Sequence, residues 1–147
     1  STFSTRSMIL NSVKTLSSVI LVTFLLLCAS NVFAAHHKGM EPVAKSGQVV
    51  VTYRGSCPAN AVEGVIDQIK SIIDYERENS PVLYSSAPGV WSDGKIGAVD
   101  LHESVEAMEK AFAWQEADKK WSSSYARIAA NCGITVGDFE VVTLIVR

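Results

Sequence analysis

The order of elements along the chain, βαββαβ, predicts an α+β domain of the ferredoxin-like type: a four-stranded antiparallel sheet with two helices on one face, a sandwich. Three observations carry this. Residues 46–57, SGQVVVTYRGSC, are rich in β-branched side chains and bounded by Gly47 and Pro58, as a strand should be. Val62, Val65, Ile66, Ile69, Ile72 and Ile73 then recur at helical spacing. The chain closes on a further apolar strand, DFEVVTLIVR, after a second helix that stops at Gly133.

The elements follow in order. After the first strand, Asn60 is the expected cap of an amphipathic helix through NAVEGVIDQIKSIIDYEREN. PVLYSSAP is a short second strand, Asp93-Gly94 is a turn signal, and KIGAVDLHE is the third strand, so this region reads as a hairpin with a long tip. Ser104 caps one long second helix, VEAMEKAFAWQEADKKWSSSYARIAANC, which the serine triplet Ser122–Ser124 is placed to kink or divide. In the fourth strand Phe139, Val141, Thr143 and Ile145 alternate with Glu140, Val142, Leu144 and Val146, so both faces are apolar.

The N-terminal segment has another logic. From Met8 to Ala34 a short region carrying Lys14 precedes the apolar run VILVTFLLLC and ends in small residues, the architecture of a secretory leader. Cleavage after Ala34, with Val32 at −3, makes residues 1–34 a signal peptide, with residues 1–7 an upstream extension if Met8 is the start. An uncleaved anchor is the alternative, but the apolar run is shorter than the roughly 20 residues a span needs. A lipoprotein site at Cys28 lacks the small residue before it. The chain that remains is expected in the periplasm or outside the cell, with no stable membrane anchor, as a flexible tail (35–45) and one domain (46–147). It carries 11 basic and 15 acidic side chains and no basic run, which argues against a nucleic-acid partner.

The usual strand order of this fold, 4-1-3-2, puts the end of strand one beside the start of strand four. Cys57 and Cys132 stand at those two places, and in an oxidising compartment they are expected to form a disulfide; two buried free thiols are the alternative.

The run VLYSSAPGVWSDGKIGAVDLHESVEAMEKAFAW resembles the core of the antibiotic biosynthesis monooxygenase-like domains of the dimeric α/β-barrel superfamily. Tyr84, the Asp93-Gly94 turn, Glu103-Ser104 and Glu106-Ala107-Met108 hold the family's places. The resemblance spans about residues 47–147. It implies a homodimer paired through the open sheet faces. An apolar sheet covered by helices on one side needs a second cover in any case. It further implies cofactor-independent oxygenation of an aromatic or quinol-like substrate, with Tyr53, Tyr84, Trp91, His102, Trp114, Trp121 and Tyr125 as counterparts of the family's pocket residues. A haem-binding variant does not fit, because the family's tryptophan and histidine places fall near Ala111 and Trp121 and the first strand has no asparagine. No cofactor and no metal site is expected. The tail pair His36 and His37 could chelate copper or nickel only if cleavage exposes Ala35, and chance explains it better.

On the residues alone, Asp100 and His102 share one face of the third strand with Ile96 and Ala98. A neighbouring carboxylate raises an imidazole's pKa and burial lowers it, so His102 is the candidate general base with Asp100 beside it. Arg54, at the end of strand one, is placed to compete for Asp100. Whether this face looks into a ligand pocket or a dimer interface stays open, with the interface slightly favoured. Trp114, Trp121 and Tyr125 read as one aromatic stripe, which is core, dimer interface or pocket wall. The rival to an oxygenase is a non-catalytic ligand-binding or interaction module of the periplasm.

Overall fold

The structure, a computed structural model, describes residues 39–147. The leader read over residues 1–34, Cys28 and the His36–His37 pair lie outside the described residues. The sheet consists of β1 (Val49–Gly55), β2 (Tyr84–Val90), β3 (Ile96–His102) and β4 (Glu140–Ile145). Its order is β2-β3-β1-β4 with every pair antiparallel, the arrangement the element order predicts. Among the described residues no helix is long and apolar enough to cross a membrane.

α1 (Val62–Asn79) buries Val65, Ile69, Ile72, Ile73 and Glu76, one stripe at helical spacing. Asn60 does not cap it. Pro58 starts a 3-10 turn over Ala59–Ala61, with the Ala61 N–H donating to the Pro58 carbonyl, so Asn60 sits exposed inside that turn and Ala61 becomes the uncapped first position. At the other end Ser80 turns extended before Pro81, whose ring disfavours a helical predecessor.

The second helical region departs from the single long helix. It is two helices, α2 (Val105–Ala117) and α3 (Lys119–Asn131), and the break falls at Asp118, not at the serines. Asp118 has extended backbone (ψ 109°), and its carboxylate accepts from the Trp121 N–H at 2.8 Å, the geometry of an N-cap. The same carboxylate accepts from the Tyr75 hydroxyl at 3.0 Å, which ties the break to α1. Ser122 and Ser124 return their hydroxyls to the Lys119 and Lys120 carbonyls and leave the helix intact. Ser104 caps α2 as expected, accepting from the Ala107 N–H at 3.1 Å. Gly133 ends α3 at φ 71°, with the Gly133 and Ile134 N–H groups closing on Ala130 and Ala129.

Register decides what each face carries. Val49, Val51 and Tyr53 of β1 lie opposite His102, Asp100 and Ala98 of β3, and His102 and Asp100 lie opposite Tyr84 and Ser86 of β2. All of these point to the helix side, where Ile96 joins Val65, Ile69, Ile72, Ile73, Ile128 and Cys132 in the core. The outer face is uncovered: Val99, Val142 and Leu144 are 38, 54 and 61 % exposed. Cys57 and Cys132 are joined, their Cα atoms 4.4 Å apart and 75 residues apart in sequence.

Two stability predictions follow from this packing. Replacing Cys132 by serine should lower the unfolding free energy by about 4.5 kcal/mol on the chain-entropy account of a loop this long, read by urea denaturation. Alkylation of the unreduced protein at Cys57 or Cys132, seen by mass spectrometry, would exclude the bond. Gly97→Ala should cost about 1–3 kcal/mol, because a Cβ there runs into the Tyr53 carbonyl and the Trp91 indole.

Candidate functional site

Between sheet and helices lies a cavity of about 50 Å³. Two carboxylates reach it from opposite sides, Asp100 from β3 and Glu76 from α1, and Tyr53, Trp121, Tyr125 and Phe139 supply aromatic wall. Asp100 is 3 % and Glu76 7 % exposed.

Asp100 is held by neutral donors. The Ser86 hydroxyl donates to its Oδ1 and the Tyr53 hydroxyl approaches the same carboxylate. Burial nevertheless dominates and lifts its pKa to about 6. Glu76 is placed likewise: the Trp121 indole N–H donates to Oε1 at 2.7 Å and the Gln115 amide at 3.4 Å, while Gln115 also donates to the Tyr84 hydroxyl at 3.0 Å. Burial pushes Glu76 up to about 7, Trp121's hydrogen bond pulls against this, and the charge of Asp100 adds to the rise. The tyrosines follow: burial and the carboxylates raise Tyr53 and Tyr84, and Tyr125 is pushed up to about 12. Among the described residues no lysine, arginine or histidine lines this cavity.

A second cavity of about 70 Å³, lined among others by Arg77, Leu83 and Tyr84, shares Ile73, Glu76 and Ser86 with the first. Glu76 therefore stands in the partition between the two.

The Asp100/His102 face thus looks toward the helices, not outward to a partner, and the interface reading of it is corrected. The two residues have different fates. His102 is fully buried behind the cavity, its ring stacked on Tyr84 with centroids 4.7 Å apart and edge-on to Phe112 at 5.9 Å. Its Nε2 is 4.0 Å from Asp100 Oδ2, too long for a hydrogen bond, and neither ring nitrogen has a partner. Of the two opposed effects on its pKa, burial wins and lowers it. Tyr53, Tyr84 and Trp121 are brought to the site. Arg54 and Trp91 are not: odd and even positions of a strand face opposite ways, so Arg54 points outward, pairs with Asp93 and Glu140 rather than Asp100, and stacks over the Trp91 ring at 5.4 Å. Trp91 donates to the Tyr53 carbonyl at 3.0 Å. The aromatic stripe is split by the Asp118 break, with Trp114 stacked on Tyr75 at 6.1 Å, off the cavity, and Trp121 and Tyr125 on it. Among the described residues no three His, Cys, Asp or Glu side chains converge in a way that could hold a metal ion.

Glu76, Gln115, Ser86 and Phe139 are the members the sequence reading passed over. Glu76 had a legible signal, lying three, four and seven residues beyond Ile73, Ile72 and Ile69 and so in phase with the buried stripe.

The pH dependence of stability tests this geometry. Glu76 has a folded pKa above its unfolded value, so the stability linked to it is full below pH 4.5 and lost as pH rises past about 7. Glu76→Gln should flatten that decline, a difference on the order of 3 kcal/mol across the window, read from thermal unfolding of both proteins between those limits. Parallel profiles would mean that Glu76 is ionised normally.

No family model matches the sequence, and no curated protein matches it. Solved structures do. A dimeric ferredoxin-like protein of unknown function from Jannaschia sp. CCS1 is 14 % identical, with a TM-score of 0.52 over 67 % of this chain and 98 % of that one. A conserved protein from Methanosarcina mazei Go1 is 6 % identical, with a TM-score of 0.51 over 68 % of this chain and 93 % of that one. SnoaB, a cofactor-independent oxygenase from Streptomyces nogalater, is 12 % identical at a TM-score of 0.46, covering 69 % of this chain and 95 % of SnoaB. Identities this low speak for architecture only, and on that the first two agree with the strand order and helix placement above: the chain folds as a ferredoxin-like α+β domain.

Proposed function

We propose that this is an exported domain that binds a small aromatic or quinol-like molecule between sheet and helices and oxygenates it without a cofactor, Asp100 acting as the general base. The observation that carries the reading is the cavity itself, where a buried carboxylate with a pKa near 6 faces aromatic walls. Such a group is ionised at neutral pH yet still basic enough to take a proton from a weakly acidic substrate. The transfer moves charge without adding any: the carboxylate becomes neutral as the substrate becomes an anion. An activated methylene so deprotonated supplies its own electrons to dioxygen. One oxygen atom becomes the product carbonyl, and the other leaves as water with the two methylene hydrogens. His102, unpartnered behind Asp100, is assigned no contact with substrate.

Pairing into a homodimer through the outer sheet faces belongs to the same reading. The exposed Val99, Val142 and Leu144 support it, and the Jannaschia protein of the same fold is dimeric.

Oxygen uptake by the purified protein with anthrone, which carries an activated methylene, tests the activity. Uptake should rise with pH through about 6 as Asp100 ionises, and Asp100→Asn should lower it about 100-fold or more, with His102→Phe affecting it far less. Uptake indifferent to Asp100→Asn would remove the mechanism. Ligand binding without uptake would identify the non-catalytic binding module instead.

A further inference from the structure

Glu76 plays no part in the proton abstraction, yet it is buried almost as deeply as Asp100. It lies on a helix that could have placed an apolar residue there, and its donors, Trp121 and Gln115, are both neutral. Arg54 and Lys95 are engaged on the outer face with Asp93 and Glu140, and Arg77, in the wall of the neighbouring cavity, pairs with Asp74 at 3.2 Å. The cavity thus holds two buried carboxylates and no compensating positive charge, an arrangement that costs several kcal/mol per ion unless protons or a cation neutralise it. Beside the carboxylates Trp121, Tyr125 and Phe139 pack on one another, with centroids 5.0 and 5.1 Å apart, and form an apolar wall.

We propose that the cavity recognises a protonated amine, its ammonium group held by Glu76 and its carbon skeleton lying against the aromatic wall, so that the ligand of this domain is an amine-bearing aromatic molecule. This rests on reading the cavity as the ligand site, and it divides the work between the carboxylates: Glu76 binds the charge and Asp100 remains the base. A volume of about 50 Å³ holds about four water-sized groups, enough for an ammonium and a two-carbon link, so the ligand's ring has to lie in the neighbouring cavity of about 70 Å³ that shares Glu76. An ammonium donates three hydrogen bonds, matching the carboxylate and hydroxyl acceptors present. Within the first cavity an anionic ligand meets two carboxylates and, among the described residues, no cation.

A matched series isolates the charge: tyramine (cation), 4-hydroxyphenylethanol (neutral) and 4-hydroxyphenylacetate (anion) differ only at the end group. Calorimetric titration of the wild-type protein at about pH 8, where both carboxylates are ionised and the amine is still protonated, should show tyramine binding about tenfold or more tighter than the alcohol, with no binding of the acetate. Tyramine affinity should fall as pH drops below about 7 and Glu76 takes its proton. Glu76→Gln should abolish the preference for the amine over the alcohol. The proposal is overturned if tyramine does not bind, if the acetate binds as tightly, or if Glu76→Gln leaves the preference unchanged. The wild-type series decides the matter even should the variant fail to fold. Asp100-dependent oxygen uptake without amine preference would overturn this proposal and leave the oxygenase reading standing; amine preference without uptake would do the reverse.

Discussion

The helical layer is organised around one buried carboxylate. Glu76 closes the apolar stripe of α1 at its C-terminal end and is reached by Gln115 from α2 and by Trp121 from α3. A buried carboxylate must find donors or lose its charge. Meeting that requirement fixes where the two shorter helices can lie: each has to offer an N–H at the same point, so neither can slide along α1 without leaving an acceptor orphaned. Hydrophobic packing by Ile69, Ile72, Ile73 and Ile128 supplies the driving force, but it has little directionality; Glu76 supplies the register.

The break at Asp118 is what makes this possible. In an unbroken helix, residues seven apart share a face, and Trp114 and Trp121 would both turn to the same neighbour. With extended backbone at Asp118 they separate, Trp114 to Tyr75 and Trp121 to Glu76. Asp118 then serves three elements at once: it ends α2, caps α3 and accepts from the Tyr75 hydroxyl of α1. The capping geometry gives α3 its own axis, and that axis brings Tyr125 and Phe139 together over the cavity.

How much of this was legible in the sequence follows from the range of the forces involved. Strand alternation, the α1 stripe, the Ser104 cap and the Gly133 stop are local patterns, and they placed the sheet, its order and the cysteine pair Cys57–Cys132 correctly. Two local signals misled because a stronger local one stood nearby. Pro58 starts the turn that displaces the cap from Asn60, and an aspartate between helical runs outweighs serines that can bond back to their own helix. The site was legible only by halves. Asp100, Tyr53 and Tyr84 are on the correct face because period two decides it, and the same period should have sent Arg54 to the other face. Glu76 and Gln115 reach the site through helix packing, which one strand's pattern does not encode.

The site is also where the fold departs from what stability alone would select. Within one patch of the inner face stand two carboxylates whose pKa values burial has raised and a histidine with neither nitrogen partnered. Each is destabilising by the ordinary accounting of buried polar groups, and none is compensated by a charge of opposite sign. Local rules broken together, at a cavity, mark a place that packing alone does not account for. The disulfide follows the end of the β1–β3 ladder at Gly55 and Ile96, and Cys132 packs in the apolar cluster whose Ile96 and Ile128 also line the cavity. A covalent link across 75 residues limits the unfolded chain, and on the chain-entropy account that stabilisation is of the same order as the cost of the buried carboxylates.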